Sequence, residues 1–157
     1  MDIDKLFDIP AHPLLVHVPV VLTPLAALGA ILMVFVPRLR RRLDWLVVGA
    51  AVLAAIGTQL AIGSGQKLEL RIDKSRALAE HAHLARVARP LVALFALSVI
   101  GFVVMLGRRD RSARSELLMR GVAGLTVVSG LLATLWMVRA GHQGALVTWK
   151  GVGIRNG

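Results

Sequence analysis

Five histidines are the only residues in this chain whose type and placement suggest chemistry: His12, His17, His81, His83 and His142. Cysteine is absent, which removes disulfides, thiolate iron–sulfur clusters, thioether-bound haem and cysteine zinc sites. Any ligation must come from imidazole, methionine, carboxylate or backbone oxygen. Two imidazoles on facing helices would supply both axial nitrogens of a low-spin haem b. Three or four would suit Zn or Cu, because neutral imidazole is a general ligand for both. The third option is that the histidines ligate nothing and sit at a lipid–water interface, since histidine avoids hydrocarbon in any case. No serine or acidic residue forms a nucleophile–base pair, so the sequence defines no catalytic constellation.

The elements that carry these residues are apolar runs. Of 157 residues, 56% are hydrophobic, and with four Phe, three Trp and no Tyr the apolar content is mainly Leu, Val, Ala and Ile. About 20 apolar residues cross a bilayer as a helix, and in lipid the backbone must satisfy its own hydrogen bonds. Four runs meet this condition, near 14–36, 46–62, 90–106 and 117–138. The expected fold is all-α, one integral membrane domain built as an antiparallel four-helix bundle. Gly57, Ala61 and Gly65 form a small-residue stripe in the second run, open to a neighbouring helix or a flat cofactor; Thr126, Gly130 and Thr134 form another in the fourth. Thr58 and Gln59 are polar within a span and are expected to face the interior. The Gly-rich segment from Arg139 onward reads as too broken for another helix and too short to span.

The net charge of +10 does not indicate nucleic acid, because the basic residues cluster in short loops between apolar runs. The first and third connections hold Arg38, Arg40, Arg41, Arg42, Arg108, Arg109, Arg111, Arg114 and Arg120 against three acids. Short basic loops stay cytoplasmic, so both termini and all five histidines are expected at the external face. The acidic start, Met1 to Pro10, is expected to lie uncleaved on the membrane surface.

On an ideal helix His12 and His17 are about 140° apart, and His81 and His83 about 200° apart, so each helix offers one imidazole to a shared site. His17 and His81 are the first expectation as ligands of a haem or metal. His12 and His142 come second, and His83 is expected to take no part.

The segments His12-Pro13-Leu14-Leu15-Val16-His17-Val18-Pro19, His81-Ala82-His83-Leu84-Ala85, and Gly141-His142-Gln143-Gly144 running on to Gly151-Val152-Gly153-Ile154 together resemble domain-of-unknown-function family 2231. The resemblance implies a four-span bacterial inner-membrane protein of undetermined activity. It also implies a redox setting, because some relatives are joined to Rieske-type or cytochrome c-type domains. The family's recurrent histidines match His12, His17 and His81. Relatives commonly show Tyr and His-Gly where Thr148 and Lys150-Gly151 stand here, which leaves His142 as the local substitute at the tail. The expected function is a haem-binding electron-transfer or redox-accessory membrane protein, with a redox partner protein and possible self-association. The alternatives are a Zn- or Cu-handling protein and a non-catalytic subunit of a membrane complex.

Overall fold

The computed structural model describes residues 5–6, 9–69, 75–108 and 112–150, with side chains for 12–69, 75–108 and 112–147. Residues 1–4 and 7–8 of the start expected to lie on the membrane surface, and the closing Gly-Val-Gly, therefore fall outside the described residues. Two short strands, β1 (Lys5–Leu6) and β2 (Ile9–Pro10), pair antiparallel ahead of the helices. Five helices follow: α1 (Ala11–Leu15), α2 (His17–Phe35), α3 (Arg40–Glu69), α4 (Arg76–Leu106) and α5 (Ala113–Lys150).

Four helices are long and apolar enough to cross a membrane, starting at His12, Pro37, Arg76 and Ala113. This is the antiparallel membrane bundle expected from the apolar runs. The helices extend well beyond those runs at the end that holds the histidines. The tail is the clearest correction: α5 continues unbroken through Gly141 and Gly144 to Lys150. Neighbours pack closely onto both glycines. A Cβ at Gly141 would lie 3.6 Å from Val20, and one at Gly144 would lie 3.0 Å from His81.

Each helix buries positions three or four apart. On α4 these are Ala88, Val92, Phe95, Val99 and Phe102; on α3 they are Val47, Ala51, Ala54, Thr58 and Ala61. This is the spacing of a left-handed antiparallel bundle. The helices pack in a ring, α2 on α3, α3 on α4, α4 on α5, and α5 back on α2. Small residues face inward, among them Ala26, Ala27, Ala30, Ala54 and Ala133, while Leu25, Leu28, Leu53, Leu97, Leu131 and Leu135 point outward. That distribution suits lipid, where close backbone approach and interhelical contact replace the hydrophobic effect as the source of packing energy. Thr58 is buried and donates to the Ala54 carbonyl at 2.8 Å. Gln59 is exposed, contrary to the expectation that both face inward, because neighbouring helix positions point about 100° apart.

Both basic connections lie at one end. Pro37 forces Val36 out of the helical region (φ −120°, ψ 85°) and ends α2. A 3₁₀ turn, Pro37–Leu39, then delivers Arg40. Its guanidinium donates to the Met33 and Val34 carbonyls at 2.8 and 3.2 Å and lies 5.9 Å from the Phe102 ring centre on α4. One side chain thus caps α2 and ties it to α4. At the opposite end Ser75 caps α4, its hydroxyl accepting from Leu78 N at 3.1 Å.

Candidate functional site

The opening segment does not form one ideal helix. Pro13 and Pro19 lack N–H donors, and the helix is interrupted at Val16 between α1 and α2. The five-residue α1 packs on α3, which places His12 against the outer part of that helix. His12 Nδ1 lies 2.9 Å from the Ala61 carbonyl and 3.2 Å from the Ser64 hydroxyl. Ser64 in turn donates to the same carbonyl at 3.0 Å. The imidazole rests on Gly65, where a Cβ would come within 2.9 Å of its Cε1.

The second pair of helices repeats this arrangement. His81, one to two turns into α4, has its Nδ1 2.9 Å from the Ala140 carbonyl on α5. Its ring lies over Gly144, where a Cβ would come within 3.0 Å of Cε1. In each half, the first helix gives an imidazole to a carbonyl of the second, and a glycine four residues later seats the ring. The sequence signal is the pairing of Ala61-Ile62-Gly63-Ser64-Gly65 with Ala140-Gly141-His142-Gln143-Gly144. Ala61 and Gly65 belong to the small-residue stripe singled out in the sequence, whereas Ser64, Ala140 and Gly144 are site residues that ligand-type reasoning did not find. The repeat also puts His142 at the position of Gly63, and both are exposed.

The two imidazoles meet. Their ring centres are 6.1 Å apart and their planes are inclined at 78°. A carbonyl only accepts, so each Nδ1 must carry a proton, and in the neutral ring Nε2 is then the nitrogen that holds the lone pair. Histidines that bind metals are held in this same way, with the second nitrogen donating to a carbonyl or carboxylate.

The remaining histidines are placed elsewhere. His17, the first expectation on this helix, is exposed, and its Nδ1 bonds the Pro13 carbonyl one turn back. The bundle therefore brings His12, not His17, to His81. His83 and His142 are exposed. Among the described residues no group of three or more His, Asp or Glu is arranged to hold a metal ion. The stripe Gly57, Ala61, Gly65 is occupied by the first helices: Val18 and Pro19 pack on Gly57, and His12 on Gly65. On α5, Gly130 receives Phe95 and Ala27.

Residues 8–156 match the family described as predicted membrane protein (DUF2231). No curated protein and no solved structure matches the chain. The match covers nearly the whole sequence, and the chain belongs to this family of membrane proteins.

Proposed function

We propose that this member of the DUF2231 family is a haem-binding electron-transfer or redox-accessory protein, in which His12 and His81 would hold the haem. The observation that carries the reading is the pair of carbonyl-anchored imidazoles 6.1 Å apart. The donor set supports the same reading. Two nitrogens leave most positions of a metal ion to another ligand, and a porphyrin supplies four. A protein zinc site takes three or four side chains, and the described residues offer no third.

When bound, the haem would supply a one-electron carrier. The chain's own contribution is positional. Ala61, Ser64 and Ala140 fix both tautomers with Nε2 unprotonated, and Gly65 and Gly144 let the rings approach their partner helices. With the basic loops cytoplasmic, the pair lies at the external face of a bacterial inner membrane, accessible to a redox partner on that side. Self-association through the lipid-facing surface belongs to the same proposal.

The test is a visible spectrum of detergent-purified protein produced with ample haem. Reducible Soret and α bands at one haem per chain support the reading. A colourless protein with stoichiometric Zn or Cu supports metal handling instead. A colourless, metal-free protein leaves the imidazole pair as a packing contact in a structural subunit.

A further inference from the structure

Among the described residues, six buried hydroxyl side chains and the buried hydroxyl of half-buried Thr134 divide into two kinds. Thr58, Ser64, Ser98, Thr126 and Ser129 each donate to a carbonyl three or four residues back in their own helix, at 2.6–3.0 Å. That is the usual solution for a hydroxyl in a membrane helix. The buried Oγ1 atoms of Thr23 and Thr134 have no hydrogen-bond partner among the described residues. Thr23 is wholly buried (0% exposed). A buried hydroxyl without a partner costs about 1–3 kcal/mol, so two in one small bundle require an explanation.

Their placement supplies it. Helices α2 and α5 run antiparallel, with Val20 against Gly141 and Ala27 against Gly130. Thr23 lies between Val20 and Ala27, on the stripe of α2 that faces α5. Thr134 lies one turn from Gly130 on the facing stripe of α5. Each is four residues from the Ala27–Gly130 contact toward the same end of the bundle, an axial offset of about 6 Å on both helices. The two hydroxyls therefore lie on the same side of that contact, on facing stripes of one interface. A third polar group lies about one turn from Thr23 on α2. Pro24 lies inside α2 and has no N–H, so the helical bond that would end on the Val20 carbonyl is not made.

We infer that Thr23, Thr134 and the Val20 carbonyl hold one buried water molecule that joins α2 to α5 inside the membrane. Water fits because it both donates and accepts, and a buried water needs two to four polar partners. A hard cation does not fit three neutral oxygens without a carboxylate, since Ca²⁺ takes six to eight oxygen ligands and Mg²⁺ an octahedral set. The site accounts for a proline inside a membrane helix, where a freed carbonyl must be satisfied locally. It also closes the ring of helices at the contact between the first span and the last. None of this depends on what the imidazole pair binds.

The experiment is a double-mutant cycle on the full chain in detergent: Thr23→Val, Thr134→Val and both together, with Thr→Ser at each position as the hydroxyl-retaining control. A shared water predicts that each valine lowers Tm by about 2–4 °C. The double variant should be no worse than the poorer single, because the water is already lost. Serine should retain most of the stability. If each valine leaves Tm unchanged or raises it, or if the two losses simply add, the water bridge is wrong. A second measurement covers the case in which the valine variants do not fold. Wild-type protein in bicelles should show a water cross-peak to the hydroxyl or amide protons of Thr23 or Thr134, and its absence at both overturns the inference.

Discussion

Gly65→Ala is the sharpest structural perturbation of the imidazole pair. A Cβ there would stand 2.9 Å from His12 Cε1 and 3.1 Å from Nδ1. Carbon contacts settle at about 3.5–4.0 Å, so the ring must retreat by roughly 0.6–1 Å. It cannot do so freely, because Nδ1 is held 2.9 Å from the Ala61 carbonyl. A retreat of that size carries the bond to or beyond about 3.5 Å, where it ceases to be one. Losing it leaves a partly buried imidazole donor without that partner, although the Ala61 carbonyl keeps the Ser64 hydroxyl, and costs about 1–3 kcal/mol. Replacing a helical glycine by alanine opposes this with a gain of about 1 kcal/mol. The net effect at Gly65 should lie between neutral and a loss of about 2 kcal/mol. Gly63, two residues earlier on the same helix, has nothing within 4 Å of its added Cβ, so Gly63→Ala should show the gain alone. The assay is thermal unfolding in one detergent, followed by circular dichroism, with Gly65→Ala melting several degrees below Gly63→Ala. Gly144→Ala, whose Cβ would meet His81 at 3.0 Å, should likewise melt below Gly124→Ala, which meets nothing. Equal melting within each pair would refute the seating of the rings on these glycines.

Arg40→Lys keeps the charge but loses the fork that reaches both the Met33 and Val34 carbonyls. It should destabilise by about 1–2 kcal/mol, read as a lower Tm. Cysteines introduced at Arg76 and Arg114, both exposed and at opposite ends of the bundle, should be labelled by an impermeant reagent from opposite sides, Arg76→Cys from outside. Labelling of both from one side would overturn the four-span topology, and reversed labelling would place the imidazole pair in the cytoplasm. Gln59→Leu should leave stability nearly unchanged, because the side chain is exposed, whereas Thr58→Leu must force bulk into a buried position and should lower Tm clearly.

The architecture was legible because membrane helices advertise themselves. Long apolar runs, separated by Arg38–Arg42 and Arg108–Arg114, leave few other folds open once backbone hydrogen bonds must close internally. The list of candidate donors was legible too, since His12 and His81 both stand out by type. Their pairing was not. A helical wheel treats His12 and His17 as points on one cylinder, but the prolines at 13 and 19 flank a break at Val16 that turns His12 toward α3. The anchors of both rings are backbone carbonyls of alanines, which carry no mark in a sequence. The glycines of the tail looked like helix breakers because their neighbours were unknown. Once Val20 and His81 are seen to pack on Gly141 and Gly144, the same residues read as close-approach positions in a continuous helix.

The claim that His12 and His81 form one site is tested most directly by electron paramagnetic resonance of the oxidised, haem-loaded protein. Wild type should give a low-spin ferric signal typical of two imidazole ligands. His12→Ala and His81→Ala should each convert it to high spin or abolish haem binding, while His17→Ala, His83→Ala and His142→Ala leave it unchanged. Loss of the low-spin signal on replacing His17, with His12→Ala silent, would contradict the pairing.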